Sequence, residues 1–198
     1  MSAIQDLIEQ IKNLEKRLSL EIQKKEEEFF YSIQGKKVDF EKSTRQYHKT
    51  LTTKIHTYIF NAGILNILTA PLIWFCLVPS LFMDFVVSIY QCICFPVYNI
   101  PKVHRSDYII IDRHALQYLN ALEKLNCIYC GYVNGLIAYI QEIAARTEQY
   151  WCPIRHARKI GTIHSRYKYF LEYGDGDAYR NDIDTIRRNF NDVNNSNR

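Results

Sequence analysis

The sequence predicts an all-α protein made of an amphipathic N-terminal helix, a transmembrane helical hairpin and a cytoplasmic helical domain. Three observations support this fold class. Apolar residues near the N-terminus recur in steps of three and four, as on one face of a helix. Residues 58–98 contain no lysine or arginine and a single acid, which is typical of membrane-spanning sequence. The chain also has only seven glycines, which suits helices joined by few turns better than a strand-rich sandwich.

Residues 1–50 are predicted to form an amphipathic helix of the coiled-coil type. Charged residues separate the members of its apolar seam, which are Ile4, Leu7, Ile11, Leu14 and Leu18. The seam covers about two and a half heptads, whereas a self-standing coiled coil usually needs about three or four. Three roles therefore stay open. The first is packing of the helix on its own protein, the second is pairing with a partner helix or a second copy, and the third is binding to a membrane surface.

Residues 55–99 are predicted to form a transmembrane hairpin. The apolar run is about twice the roughly 20 residues that one span requires. Pro79 lies near its middle and predicts the turn, because proline disrupts a helix interior. Basic residues flank both ends of the run, so the positive-inside rule places both termini in the cytoplasm of a bacterial inner membrane. A single long span with an interfacial remainder is the alternative.

The polar residues of the second predicted helix share one face. Asp84, Ser88 and Gln91 have the spacing of such a stripe. Asn66 and Gln91 lie at similar distances from Pro79, so we expect them to hydrogen-bond across the hairpin. An acid inside a membrane is a functional-site hypothesis by default. Asp84, however, lies only about 7.5 Å along the helix from the predicted turn, within reach of interfacial water.

Residues 100–173 are predicted to form the cytoplasmic helical domain. Asp112 has the position of an N-cap for its first helix, and Gly131 and Gly135 punctuate a turn before the second. A third helix, basic and aromatic, follows. Residues 174–198 are predicted to form a short helix and a polar tail.

Four residues of this domain form a complete set of zinc-type ligands, namely Cys127, Cys130, Cys152 and His156. The first thirty residues carry charges throughout and no secretory signal, so we expect reduced thiols rather than a disulfide framework. A straight helix between the two pairs would hold them about 30 Å apart. One shared site therefore requires the helix to break before Cys152. Zinc is the predicted metal, with iron as the alternative.

A split arrangement is the alternative to the shared site. If the Cys-x-x-Cys lies at the tip of an antiparallel helical hairpin, Cys152 returns beside Asp112 and His114. Those three residues, with His156 nearby, would then hold the metal close to the membrane. Ordinary buried thiols and a thiol–disulfide pair are the remaining interpretations of the two tip cysteines.

The short motifs "CIYCGY" and "YWCP" resemble rubredoxin-like knuckles, in which Cys-x-x-Cys-Gly turns bind iron or zinc. Over residues 96–157 the chain also resembles an uncharacterised bacterial membrane-protein family that carries the same words and has no assigned function. The first resemblance implies a metal site. The second implies a family and no activity.

These observations predict an inner-membrane structural or assembly factor with a Cys/His metal-binding domain, partner-binding rather than catalytic. Its expected partners are the lipid bilayer and, through the N-terminal helix, a protein or a second copy. The alternative is a membrane-tethered redox enzyme or metalloenzyme that uses the Cys/His cluster. The sequence has no Gly-rich phosphate loop, no Gly-x-Ser-x-Gly and no His-Glu-x-x-His. Its net charge of +4 does not favour nucleic-acid binding.

Overall fold

The computed structural model of the protein describes residues 3–34 and 37–196, which are mostly helical and confirm the all-α prediction. The α-helices are α1 (Ala3–Glu28), α2 (Lys42–Thr50), α3 (Ile55–Asn61), α4 (Ile64–Phe75), α5 (Leu77–Tyr98), α6 (Ala121–Trp151), α7 (Gly176–Ile186) and α8 (Asn191–Ser196). Two short strands, β1 (Tyr31–Gln34) and β2 (Lys37–Phe40), pair in antiparallel register. The chain divides into two compact units, one within residues 1–62 and 112–128 and the other within residues 63–111 and 129–198.

The first unit begins with α1, which ends well before the predicted limit at residue 50. The chain leaves the helix through Phe30, whose φ of +52° is in the left-handed region, and the β1–β2 hairpin follows. The side chains of Leu14 and Leu18 in the apolar seam are 61% and 63% exposed. The side chains of the other seam residues, Ile4, Leu7 and Ile11, lie outside the described part of the chain.

Helix α6 begins later than predicted. Asp112 precedes only a short 3-10 turn, Arg113–Ala115, and its side chain makes no capping hydrogen bond. The helix starts after Asn120, whose Oδ1 accepts a hydrogen bond from the Glu123 backbone N–H at 3.0 Å. In return, Glu123 Oε2 accepts one from the Asn120 N–H at 2.8 Å. This reciprocal capping box satisfies backbone donors that a helix start leaves free, which fixes the start here.

The predicted turn at Gly131 and Gly135 is wrong, because α6 continues through both residues over its 31-residue length. Both glycines are buried. A Cβ added at Gly135 would lie 2.6 Å from the carbonyl oxygen of Tyr108 and 2.8 Å from the Cα of Ile109. Gly135 is therefore present because another backbone segment crosses the helix there, and not because the chain turns.

The second unit begins with α4 and α5, and it does not confirm the predicted hairpin. Only Cys76 separates these helices, and its backbone angles (φ −61°, ψ −14°) are right-handed helical, so the chain does not reverse there. Pro79 lies in the first turn of α5, where proline is tolerated because an N–H is not needed. By length and composition, Ile64–Tyr98 qualifies as one candidate membrane span among the described residues.

Helix α5 and the part of α6 in this unit run in the same direction. Tyr132 of α6 contacts Asp84 of α5. One heptad further along both helices, Tyr139 contacts Gln91. The segment of residues 100–111 runs in the opposite direction alongside α5. Its Val103 contacts Gln91, and its Arg105, further along the segment, contacts Asp84, which lies earlier on the helix. The buried apolar core of this unit consists of Phe95, Ile100, Val103, Leu136, Tyr139, Ile143 and Phe190.

The C-terminal region also differs from the prediction. Residues 155–173 do not form the predicted helix and contain only a short 3-10 turn. Ile154 and Leu171 form an isolated parallel bridge that closes this region into a loop. The polar stretch after α7 is ordered through Phe190, which is buried in the core, and α8 follows. Burial of the Phe190 ring thus helps to hold a segment whose composition predicted a tail.

Candidate functional site

Helix α5 has its polar side chains on the inside and its apolar side chains on the outside. Asp84 and Gln91 are only 8% and 7% exposed. The exposed large apolar residues on its other faces are Val78, Leu81, Phe82, Met83, Phe85, Val86, Ile89, Ile93 and Val97. A surface helix of a water-soluble protein has the opposite pattern, with its apolar stripe facing the core. Polar groups that face a helix bundle, with apolar groups outside, are characteristic of helices in lipid.

Three side chains satisfy the Asp84 carboxylate. The guanidinium of Arg105 pairs with Oδ1, and Tyr132 donates its hydroxyl to Oδ2 at 2.7 Å. Ser88 lies 3.4 Å from Oδ1 and donates a weaker hydrogen bond. Burial raises the pKa of Tyr132, and the hydrogen bond and negative charge of Asp84 raise it further, so this phenol stays a donor. The acid is therefore neutralised by a cation within the protein and fully hydrogen-bonded.

Gln91 joins three parts of the second unit. Its Nε2 donates to the Tyr139 hydroxyl at 2.9 Å and to the Val103 carbonyl at 3.3 Å. Its Oε1 accepts from the Val103 backbone N–H at 2.7 Å. The predicted contact with Asn66 is not made, because without a chain reversal the two residues lie about 37 Å apart along the helix. Gln91 thus supplies hydrogen-bond partners to the backbone N–H and carbonyl of Val103, which lies in the segment of residues 100–111.

A buried ion pair on α6 holds the start of the segment of residues 100–111. Arg146 Nε donates to Glu142 Oε1 at 2.8 Å, and both side chains are buried. The Arg146 Nη1 donates to the carbonyl oxygens of Pro101 and Lys102 at 2.8 and 3.1 Å. Ser165 donates to the second oxygen of Glu142 at 2.6 Å. These hydrogen bonds satisfy both members of the pair, which offsets the cost of burying their charges.

A second buried cluster attaches the C-terminal helices to α6. Gln149 Nε2 donates to the carbonyl oxygens of Ile186 and Asn189 at 2.9 and 2.8 Å. The buried Arg166 donates from Nε to Gln149 Oε1 at 2.5 Å and from Nη1 to Asp192 Oδ2 at 2.6 Å. Burial alone would raise the pKa of Asp192, but the hydrogen bond and charge of Arg166 outweigh it and lower that pKa. The pair is therefore ionised at neutral pH.

The residues predicted to share one metal do not come together in the structure. Cys127 and Cys130 lie one turn apart on α6, whereas Cys152 follows its last residue. The continuous helix places Cys130 and Cys152 roughly 33 Å apart. His156 lies in the following loop, where its ring stacks on Tyr167 with centroids 6.4 Å apart. The helix break that a shared site requires is therefore absent.

The members of the split site are distributed over the two units. Asp112 and His114 belong to the first unit, and Cys152 and His156 belong to the second. Over residues 3–34 and 37–196, no group of three or more His, Cys, Asp or Glu side chains has a geometry that could hold a metal. All six cysteines are free thiols. Binding of zinc or iron stays a prediction.

The sequence did not identify the partners of Asp84. In the sequence, Arg105 is one of several basic residues that flank the apolar run, and Tyr132 lies in the stretch predicted to turn. One signal was available, because Tyr132 and Tyr139 repeat the heptad spacing of Asp84 and Gln91. No signal pointed to the buried state of Arg166, which lies in a strongly basic stretch.

No family model, no curated protein and no solved structure matches the chain.

Proposed function

We propose that this protein is a membrane-anchored structural or assembly factor, and that the continuous α4–α5 helix is its membrane-embedded element. The observation that carries the proposal is the inverted arrangement of α5, in which Asp84 and Gln91 face the protein and apolar side chains face outward. In water this arrangement exposes the groups that should be buried. In a bilayer it places each class of side chain in its preferred surroundings.

The exposed apolar surface of α4 supports the same proposal. Its most exposed large apolar residues are between 67% and 77% accessible, and they are Ile64, Leu65, Leu68, Leu72 and Phe75. Transfer of one such side chain out of water contributes about 1.5–3 kcal/mol. At this exposure, the five together favour a lipid environment by on the order of 5–10 kcal/mol. Soluble monomers rarely expose a contiguous apolar surface of this kind.

We infer that the membrane contains a single crossing with an interfacial remainder, in place of the predicted hairpin. The first part of the helix, residues 64–83, contains no ionisable acid or base and has the length of one span, roughly 20 residues. From Asp84 onward the helix acquires a buried polar side, which suits a segment that leaves the hydrocarbon. Within 20 positions of each end of the helix the basic residues are equal in number, namely Arg45, Lys49 and Lys54 before it and Lys102, Arg105 and Arg113 after it, so the charge bias assigns neither side to the cytoplasm.

The structural role is supported by how the polar groups of the second unit are used. Asp84, Gln91 and Glu142 each hold another segment of the chain through several hydrogen bonds. Such networks fix the relative positions of helices. In the first unit, the exposed Leu14 and Leu18 of α1 offer an apolar seam to a partner helix or a second copy.

Membrane fractionation tests the proposal. We expect the wild-type protein to stay in the membrane pellet after alkaline carbonate extraction. A variant with Leu68→Lys and Leu72→Lys should be released or should fail to insert, because each lysine costs about 2.5–3.5 kcal/mol near the middle of a span. Ile163→Lys is the matched control, since Ile163 is 66% exposed but lies in a loop. Release of the wild-type protein by carbonate would contradict the proposal.

Reporter fusions after residues 50 and 110 test the topology. A single crossing places the two reporters in opposite compartments. The predicted hairpin places both in the cytoplasm, and that result would reject the single crossing while keeping the membrane anchor.

A further inference from the structure

We propose that α2 and α3, which precede the membrane helix, bind the headgroups of anionic phospholipids at the bilayer surface. The inference rests on the proposed membrane location, and it specifies the lipid that the protein contacts where the chain enters the membrane. Between Glu41 and Asp84 the sequence contains no acid. The part of this stretch before α4 contains four lysines and arginines, namely Lys42, Arg45, Lys49 and Lys54. The segment after α5 differs, because acids are interspersed among its basic residues.

Three of these four cations are available to a ligand. The guanidinium of Arg45 pairs with the Asp39 carboxylate. Lys42, Lys49 and Lys54 are exposed, and none of them takes part in a salt bridge within residues 3–34 and 37–196. Near a bilayer that contains anionic lipid, each such lysine strengthens binding about fivefold. The charge of this segment is therefore complementary to anionic headgroups.

The packing of α2 leaves its lysines on the outside. The ring of His48 meets the rings of Phe40 and Tyr118 with centroids 5.3 and 5.2 Å apart, which attaches one side of α2 to its own unit. Lys42 and Lys49 are seven residues apart and therefore share a different side of the helix. Both lysines are exposed. The protein thus holds α2 in place without covering the side that carries its free cations.

Helix α3 adds exposed apolar side chains next to these cations. Ile55, Ile59 and Phe60 are exposed, and Phe60 is the extreme case at 90%. Lys54 directly precedes this helix. Basic residues combined with large apolar ones are typical of segments that lie in the membrane interface, where the apolar groups reach about 5–10 Å below the headgroups. The lysines then remain at the level of the lipid phosphates.

The chain keeps this segment close to the membrane. At Gly63 the backbone angles (φ +78°, ψ 147°) are outside the helical region, so the span begins at α4 and not at α3. Lys54 lies ten residues before Ile64, and most of the residues between them are helical, which limits its distance from the start of the span to roughly 15 Å. One headgroup layer of about 5–7 Å and a Debye length of about 8 Å together cover that distance.

Native mass spectrometry of the full-length protein tests this assignment, in detergent micelles that contain equal amounts of phosphatidylglycerol and phosphatidylcholine. We expect the wild type to retain phosphatidylglycerol in preference to phosphatidylcholine. Lys49→Gln with Lys54→Gln should lower that preference about tenfold or more, because each lysine contributes about fivefold. Arg158→Gln with Lys159→Gln is the matched control and should keep the preference, since it removes the same charge from exposed positions of a loop.

A measurement on the wild-type protein covers the case in which a variant folds poorly. The protein is reconstituted in phosphatidylcholine nanodiscs with and without phosphatidylglycerol, and acetylation of its lysines by an amine-reactive ester is followed by peptide mass spectrometry. Phosphatidylglycerol should slow the acetylation of Lys49 and Lys54 several-fold relative to that of Lys159. High salt should remove the difference, because it screens charges at a surface.

Each result decides between the two proposals. Equal retention of both lipids by the wild type overturns the headgroup assignment, as does an equal loss of preference in both double variants. Acetylation of Lys49 and Lys54 that is slow in both kinds of nanodisc also overturns it, and assigns these lysines to a protein contact. In all of these cases, retention of the protein in carbonate-washed membranes leaves the membrane proposal standing. Release by carbonate removes both.

Discussion

Replacement of Gly135 by alanine separates two interpretations of this residue. In an unobstructed helix interior, Gly→Ala stabilises a protein by about 0.5–1 kcal/mol, because glycine loses more conformational freedom on folding. At Gly135 the new Cβ would lie 2.6 Å from the Tyr108 carbonyl oxygen and 2.8 Å from the Ile109 Cα. Both are backbone atoms, which cannot rotate away as a flexible side chain would. Forced overpacking of this kind typically costs about 1–3 kcal/mol.

The two effects leave a net loss of about 1–2 kcal/mol in the free energy of unfolding. For a chain of this size that corresponds to a Tm about 2–8 °C lower. The measurement is thermal unfolding in detergent, followed by the helical circular-dichroism signal. Gly161→Ala is the matched control, because an added Cβ there meets nothing within 4 Å. A Tm for Gly135→Ala above that of the wild type would refute the close approach of the two segments.

Three further predictions follow from single contacts. Tyr132→Phe removes a hydrogen bond to a buried carboxylate, so the free energy of unfolding should fall by about 1.5–3 kcal/mol, measured by the same thermal assay; an unchanged Tm would mean that this bond contributes nothing. Leu14→Asp with Leu18→Asp should convert a detergent-solubilised oligomer to a smaller species by light scattering, whereas an unchanged mass would remove α1 as the contact. If Cys127 and Cys152 shared one metal, Cys127→Ser and Cys152→Ser would each abolish the same single equivalent of bound metal. Because α6 is unbroken and separates the two residues, we expect elemental analysis to show no such shared loss.

The inverted polarity of α5 has a physical consequence for the acid it contains. An isolated carboxylate in an apolar environment would take up a proton, because burial disfavours its charge. Asp84 avoids this through the guanidinium of Arg105, which follows the helix, and through Tyr132 on α6. The ion pair therefore ties the end of the apolar segment to the rest of the second unit. Loss of Arg105 would leave an unpaired acid, which is far more costly than loss of a surface salt bridge.

The sequence by itself determined the features that depend on short-range periodicity. The steps of three and four in α1, the long apolar run and the shared face of Asp84, Ser88 and Gln91 all follow from 3.6 residues per turn. These features were predicted correctly as helix or as one face of a helix. They need no knowledge of distant residues, because neighbours along a helix are neighbours in sequence.

Tertiary structure decided what the punctuating residues mean. Pro79 is equally compatible with a turn and with the first turn of a helix, and only the helical angles of Cys76 settle its place. Gly131 and Gly135 suit either a turn or a close approach of two backbones, and the crossing of the Tyr108–Ile109 backbone selects the second. Local signals of this kind have two readings because the preference of a single residue is worth only about 1 kcal/mol.

Tertiary structure also decided which distant groups meet. The four metal-ligand candidates matched a familiar spacing, yet the unbroken α6 separates Cys130 from Cys152 along its length. Conversely, Arg166 looked like one of many surface cations and is buried against Gln149 and Asp192. Long-range pairing depends on how helices pack and on which buried charges must be neutralised. Neither quantity is encoded in the spacing of residues along the chain.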